Sequence, residues 1–249
     1  MPAVAIIPAR WASVRFPGKP LAMLGGKPLV RHVWERCLRA RRLDRVIVAT
    51  DDMRIAEAAF DFGAEVSVTS PDHPSGSDRL GEVAAKLRGV SVIVNVQGDE
   101  PTIEPRLIDR LVGEMELHPR SEMVTAATPF TDPAAVANPN NVKVVADRLG
   151  NALYFSRSPI PFVRDAVGGA GSRITGPVFL HHLGIYAYRR RFLLQFVKWK
   201  PTPLEQAEKL EQLRALEMGA RIRLVVTKRR SIGVDTPEDL AEAERALRR

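Results

Sequence analysis

Short apolar runs alternate along the chain with segments whose apolar positions recur at helical spacing. Residues 4–7, Val-Ala-Ile-Ile, predict a first strand. Val30, Val33, Trp34 and Leu38 give residues 29–41 one apolar helical face. Residues 45–50 predict a second strand, after which Asp51 or Asp52 can cap a following helix. A third strand is predicted at 64–69, then a helix over 77–88 through Leu80, Val83, Ala84 and Leu87. Residues 90–96 are almost continuously β-branched, which suits a strand covered on both faces. Repeated βα units of this kind predict an α/β fold with a doubly wound, mostly parallel sheet.

The second half is less regular. Strands are predicted at 123–127, 142–146, 152–155 and 183–188, helices at 203–218 and 236–247, and a strand at 222–226 between them. Residues 159–177, rich in Pro and Gly, predict a mobile loop or lid. This half reads as a smaller mixed-sheet extension, suited to covering a substrate or building a dimer.

Composition narrows the class. The chain has 249 residues, of which 45% are hydrophobic and 27% charged, an ordinary balance for a soluble domain. No apolar run approaches the ~20 residues that span a bilayer, and no secretory signal is visible, so a cytoplasmic location is expected. The lone cysteine, Cys37, excludes a disulfide framework within one chain and fits a core position. The net charge of +8 is compatible with nucleic acid, an anionic membrane or an anionic small substrate. The clusters Arg39-Ala40-Arg41-Arg42, Arg189-Arg190-Arg191 and Lys228-Arg229-Arg230 are short and read as solvated surface. No finger, RNP or basic-zipper pattern accompanies them.

The candidate chemistry lies in loops that follow strands. After the first strand come Pro8, Ala9 and Arg10, then Arg15, Pro17, Gly18, Lys19 and Pro20. This places three cations, Arg10, Arg15 and Lys19, at the sheet edge where open α/β proteins bind ligands. Cations beside glycines suit a polyphosphate; a solvated basic loop is the plainer alternative. Neither G-x-G-x-x-G nor G-x-x-x-x-G-K-[ST] is present, which argues against nicotinamide enzymes and P-loop ATPases. The fourth strand runs into Gln97-Gly98-Asp99-Glu100-Pro101, so Asp99 sits at the same edge, placed to hold a hard cation such as Mg2+ against phosphate oxygens. Far downstream, Gly233-Val234-Asp235 precedes Thr236-Pro237-Glu238-Asp239, a helix-start pattern. Asp235 is either a turn residue before that cap or a second metal carboxylate. Two carboxylates beside a phosphate suit a two-metal displacement.

At this point the segments IIPARWASVRFPGKPL, IVATDD, DHPSGSDRL, VNVQGDEP, NPNNVKVV, ALYFSRSPIP, HHLGIYAYR, PLEQAEKLEQLR and GVDTPEDL carry a resemblance. In that order, and over nearly the whole chain, the sequence resembles the 3-deoxy-manno-octulosonate (Kdo) cytidylyltransferases, or CMP-Kdo synthetases. The resemblance implies a nucleotidyltransferase-type, Rossmann-like domain over 1–249. Residues 1–128 would mainly bind CTP, 129–230 would mainly bind sugar and form the dimer, and 231–249 would carry the metal turn and last helix. It implies that CTP and Kdo give CMP-Kdo and pyrophosphate, with Mg2+, for lipopolysaccharide biosynthesis, in a homodimer that binds no nucleic acid and inserts in no membrane. Carried over by position, Arg10, Arg15 and Lys19 would hold the triphosphate. Asp99 and Asp235 would bind Mg2+. Asp99, Asp235, Lys19 and Arg10 would thus be the catalytic set. Pro8, Ala9, Ser75 and Arg79 would line the cytidine side, and Gln97 would contact the nucleotide or the sugar. Arg157, Arg164, His182, Tyr186, Glu211 and Gln212 would bind Kdo, Arg157 through its carboxylate. His73 and His181 have no assigned role; His73 precedes a possible base-binding loop, with loop packing its plainer alternative.

Three positions depart from the family pattern: Ser77 in place of Thr, Ala187 in place of Gly, and His181 in place of a more basic residue. The last two leave a variant acceptor open, such as an 8-amino sugar. Two other functions are carried as alternatives. One is an enzyme acting on a different 2-keto sugar acid or a sugar 1-phosphate. The other is a silent binder of polyanions, for which Asp99 and Asp235 would have no use.

Overall fold

The apolar runs form the strands expected of them, and the computed structural model describes residues 1–12, 16–164, 176–229 and 231–247. The first elements are β1 (Ala3–Ala9), β2 (Met23–Leu24), β3 (Lys27–Pro28), α1 (Leu29–Leu38), β4 (Arg45–Thr50), α2 (Met53–Asp61) and β5 (Glu65–Val68). There follow α3 (Gly76–Lys86), β6 (Val92–Asn95), α4 (Pro105–Leu117), β7 (Met123–Phe130), α5 (Pro133–Ala137), β8 (Lys143–Ala146) and β9 (Ala152–Ser156). The last are β10 (Gly176–Arg189), α6 (Arg190–Phe196), α7 (Pro203–Glu208), α8 (Gln212–Glu217), β11 (Ile222–Val226) and α9 (Pro237–Leu247). Two compact units result. One comprises Met1–Glu116, Ile185–Lys198 and Ser231–Arg249, the other Leu117–Gly184 and Trp199–Arg230.

In the first unit the strand order is β10-β6-β1-β4-β5. β1 pairs in parallel with β4 and with β6, β4 pairs in parallel with β5, and β10 runs antiparallel to β6 with Tyr186 opposite Asn95. This is the mostly parallel α/β sheet that the alternation predicts. Val4, Ala5, Ile6 and Ile7 are almost wholly buried, as are Val92, Ile93 and Val94, because both faces of the central strands are covered. Ser75 caps α3 through a reciprocal pair with Asp78, and Asp52 caps α2. The carboxyl ends of β1 and β6 are drawn together at Gly98. A Cβ there would lie 2.8 Å from the Pro8 carbonyl oxygen, so only glycine permits the approach.

In the second unit β7 and β11 are parallel, from Met123 opposite Ile222 to Ala127 opposite Val226. β10 runs antiparallel to β8, and β8 antiparallel to β9, giving a mixed sheet.

Several elements differ from the sequence expectation. The helix predicted over 203–218 is two helices, α7 and α8, broken where Lys209 adopts a left-handed conformation at φ 53°. The break leaves the Glu208 and Lys209 carbonyls without helical partners, and the Arg157 guanidinium takes both. α4 is absent from the sequence reading although Leu107, Ile108, Leu111, Val112 and Met115 carry its apolar face. α6 is likewise absent from it. The cluster Arg189-Arg190-Arg191, read as solvated surface, opens that helix and is partly buried. Arg189 donates to the Met115 carbonyl and Arg190 to the Ala84 and Ala85 carbonyls, so this stretch ties elements together. Residues 165–175 of the proposed lid lie outside the described residues.

Candidate active site

Three segments distant in sequence meet in the first unit. Lys19 follows Gly18, which stands at φ 70° and donates its N–H to the Trp11 carbonyl at 3.0 Å, closing the loop that leaves β1. The Lys19 ammonium donates to Asp99 Oδ2 at 2.6 Å and lies 3.3 Å from Asp235 Oδ1. The Asp99 and Val234 backbones are tied by an N–H···O bond of 2.8 Å from Val234. Val234 is itself buried against Leu24, Leu29 and Ala243, which fixes the turn from below. Above it, Asp239 Oδ2 accepts from the backbone N–H groups of Asp235 and Thr236, both at 2.9 Å, and Thr236 caps α9. Both readings of Asp235 are therefore compatible with its place: it belongs to the cap turn, and its carboxylate faces Lys19.

Arg10 leaves the end of β1 with its Nη2 buried and without a hydrogen-bond partner among the described residues. Burial, then the positive Arg79, lowers its pKa, while Asp51 and Asp78 act to raise it. A buried guanidinium nitrogen with a free donor suits an anionic oxygen. Arg79 is fully buried. Its Nη1 donates to Thr69 Oγ1, and its Nη2 lies 3.1 Å from Asp51 Oδ2. It therefore braces the strand ends beneath this region. Gln97 is half-buried at the end of β6, and Ser75 is engaged in its helix cap. Arg15 lies outside the described residues.

His73 Nε2 lies 2.7 Å from Glu82 Oε2, and the same oxygen accepts the Ser70 N–H at 2.9 Å, which fits the plainer, loop-packing alternative for His73. The Lys86 ammonium, then the Ser70 N–H and His73, hold the Glu82 carboxyl down to about 2. Cys37 is buried in α1 and burial raises its thiol pKa, so it is inert.

The expected sugar-acid residues Arg157, His182, Glu211 and Gln212 lie in the second unit, Tyr186 on the part of β10 that belongs to the first. Arg157 donates to the carbonyls of Glu208 at 2.7 Å, Pro139 at 3.0 Å and Lys209 at 3.4 Å. A guanidinium has five N–H donors, so two remain. Beneath it lies Lys143, which sequence reasoning passed over within NPNNVKVV. Its side chain is fully buried, and its ammonium donates to the Asn141 carbonyl at 2.7 Å, the Asn138 carbonyl at 3.1 Å, and the Arg157 carbonyl. Burial lowers its pKa, with Glu208 opposing and Arg157 adding to the fall. Glu208 receives the Ser156 hydroxyl at 2.6 Å and the Arg157 N–H at 2.9 Å. Gln212 is buried, Glu211 is half-exposed before α8, and Arg164 is exposed. His181 packs against the Phe130 ring at 5.0 Å.

His182 is buried, with Nε2 2.9 Å from Thr125 Oγ1 and the Phe155 ring edge-on at 4.9 Å. Burial, reinforced by His181, lowers its pKa to about 3. It is neutral at pH 7. In the unfolded chain it binds its proton near pH 6.5, so the folded state is disfavoured progressively as pH falls from about 6.5 to about 3. We expect His182→Gln to abolish that part of the acid destabilisation, up to about 5 kcal/mol. Denaturant titrations of both proteins at pH 4 and 7 test this, and parallel pH dependences would contradict it.

Among the described residues no cluster of three or more His, Cys, Asp or Glu is arranged to hold a metal. Asp99 and Asp235 form a pair converging on one cation. That donor set fits Mg2+, which takes one or two carboxylates and completes its shell with phosphate and water oxygens. No described helix is long and apolar enough to cross a membrane.

The family model described as Cytidylyltransferase matches residues 4–222. A Geobacter sulfurreducens protein named 3-deoxy-manno-octulosonate cytidylyltransferase is 53% identical over 247 residues, covering 98% of each chain. A Pseudomonas syringae pv. syringae protein of the same name is 50% identical over 246 residues, covering 97% of this chain and 96% of that one. A solved CMP:2-keto-3-deoxy-manno-octonic acid synthetase, complexed with CTP, superposes with a TM-score of 0.92 at 41% identity, covering 100% of this chain and 99% of that one. A 4-diphosphocytidyl-2C-methyl-D-erythritol synthase from Anaerococcus prevotii shares the fold alone, with a TM-score of 0.63 at 16% identity.

Proposed function

The chain belongs to the cytidylyltransferase family, and we propose that it is a 3-deoxy-manno-octulosonate cytidylyltransferase, converting CTP and Kdo to CMP-Kdo and pyrophosphate. The observation that carries the reading is the convergence of the loop after β1, the turn after β6 and the turn before α9 on the Lys19 ammonium. Such an arrangement concentrates charge where a triphosphate must be bound and its leaving group neutralised.

In the reaction the anomeric 2-hydroxyl oxygen of Kdo attacks the α-phosphorus of CTP. A new P–O bond forms to the sugar, the bond to the β-phosphate oxygen breaks, the hydroxyl proton passes to solvent water, and pyrophosphate leaves. Arg10 offers its unpartnered Nη2 to the phosphates, and Lys19 adds a second positive charge. Arg15 would extend this set. Asp99 and Asp235 would hold Mg2+, which when bound supplies charge neutralisation and lowers the pKa of a coordinated hydroxyl. Pro8 and Ala9 present backbone to the nucleotide, Gln97 contacts it from the end of β6, and Ser75 and Arg79 shape the cytidine side. Arg157 takes the Kdo carboxylate with its two remaining N–H donors. Tyr186, Glu211, Gln212 and Arg164 meet its hydroxyls, and neutral His182 acts through hydrogen bonding, not charge. A homodimer in the cytoplasm, feeding lipopolysaccharide assembly, completes the reading.

Pyrophosphate release with CTP, Mg2+ and Kdo tests it, against mixtures lacking sugar or containing ATP, GTP or UTP. Release with CTP and Kdo alone supports it. Release with another sugar acid would replace the acceptor, and an absence of release with every acceptor would favour the polyanion binder. The two carboxylates differ in expected role. Asp235→Asn should lower kcat by about a hundredfold while changing CTP affinity little, since on this reading Asp235 would hold mainly the metal nearer the sugar acid. Measured CTP affinity falling as far as kcat would contradict that division.

A further inference from the structure

A cavity of about 550 Å³ opens in the second unit, walled by Arg120, Arg148, Arg221 and Arg223 together with His118 and Asn151. Arg120 precedes β7 and Arg221 precedes β11, so the cavity lies at the amino ends of these parallel strands. Substrates of open α/β sheets bind at the carboxyl ends, and none of the residues in this wall is assigned above to nucleotide or sugar acid.

Arginines on a surface are ordinary; four around one cavity, three of them without a guanidinium partner among the described residues, are not. Among the described residues, no hydrogen bond or ion pair engages the guanidinium groups of Arg120, Arg148 or Arg221. The carboxylates on the same segments are turned to other donors. Glu122 Oε2 accepts the Arg221 backbone N–H at 2.9 Å, and Asp147 accepts from the backbone and side chain of Asn151 at 2.7 and 2.9 Å. The Asp147–Asn151 turn, with Gly150 at φ 80°, holds Arg148 at the cavity, and the Arg223 guanidinium lies against Gly150. Like charges gathered this way repel, and a multivalent anion relieves the repulsion.

We propose that this cavity is a second anion site, for a small organic molecule carrying two or more linked phosphates. Planar guanidinium forks match phosphate oxygens two at a time, and the volume is that of a small-ligand pocket. A monocarboxylate carries too little charge to balance three unpaired guanidiniums. Single-stranded nucleic acid is disfavoured, because the wall has no Phe, Tyr or Trp on which a base could stack. A twofold contact with a second copy is disfavoured because it would set this basic face against itself. Leu117 and Leu149, 72% and 73% exposed, form an apolar rim that suits the organic part of the ligand.

Calorimetric titration with inorganic tripolyphosphate, in low salt without Mg2+, tests the site on the full chain. The native protein is expected to bind two per chain, one at the nucleotide site and one here. Arg148→Ala with Arg221→Ala should remove the second, with its affinity falling at least about tenfold per arginine, while turnover and thermal midpoint stay native. Lys19→Ala should leave it intact. Arg148→Lys with Arg221→Lys should restore part of the affinity, which separates charge from any folding defect. One site in the native protein, or two in the double alanine variant, would overturn the proposal. So would arginine-dependent sedimentation with phosphatidylglycerol vesicles in the absence of a second tripolyphosphate site, which would make this a membrane contact.

Discussion

Asp99→Asn is expected to reduce turnover by on the order of a hundredfold to a thousandfold, with the fold intact. The substitution keeps the shape and removes the charge that Lys19 meets at 2.6 Å. The turn is held by the backbone, through the 2.8 Å bond from the Val234 N–H to the Asp99 carbonyl, and by Gly98 against Pro8, neither of which depends on the side chain. A neutral amide binds Mg2+ poorly, because that ion prefers charged oxygen ligands. It also leaves Lys19 with Asp235 as its single carboxylate among these partners. Steady-state pyrophosphate release with a thermal melt of the same preparation tests this. Activity within tenfold of native, at an unchanged melting temperature, would remove Asp99 from the catalytic set.

Lys143→Ala is expected to destabilise the protein by about 3 kcal/mol. Its ammonium satisfies three backbone carbonyls, of Asn138, Asn141 and Arg157, inside a region with no access to water for the side chain. Removing it orphans the Asn141 and Arg157 carbonyls and leaves Asn138 only its 3.1 Å bond from the Asn141 N–H, and relief of the buried charge, whose cost shows in the lowered pKa of Lys143, offsets part of that loss. Lys143→Met, which fills the space without donating, separates the hydrogen bonds from the cavity. Urea unfolding of the three proteins measures both contributions. The same ammonium anchors Arg157 by donating to its backbone carbonyl, so the variant should also raise the KM for the sugar acid more than that for CTP. A loss below about 0.5 kcal/mol, ordinary for a surface site, would show that the carbonyls find other donors.

Much of the fold was legible because the first half follows the simplest physical rules. Residues 45–50 and 222–226 are strands over the predicted spans, since an apolar run of five or six residues between polar turns has little alternative. The β1 and β6 loops were legible as candidate chemistry because strand ends carried cations and carboxylates together. α4 was legible in principle: its apolar residues recur at helical spacing, after Pro105 at the helix start. α6 was not, because three arginines precede its Phe192, Leu193 and Phe196 face, and a basic run reads as solvated until buried carbonyls are found to receive it. The break at Lys209 was hidden as well, since a lysine gives no local reason to leave the helix. The Arg157 guanidinium, 52 residues away in sequence from Lys209, takes the carbonyls that the break exposes.

By itself the sequence determined the α/β alternation, the ordered motifs that carry the family resemblance, and which charged residues stand as candidates for phosphate and a hard cation. These are local properties: periodicity, turn chemistry and charge are written within a few residues of each other. Only the tertiary structure decided that Lys19, Asp99 and Asp235 share one point, that Arg79 is a buried brace, that Lys143 underlies Arg157, and that four arginines from three segments wall a cavity. Each of these depends on contacts between residues tens to hundreds of positions apart, which are fixed by burial of the strands and helices that carry them.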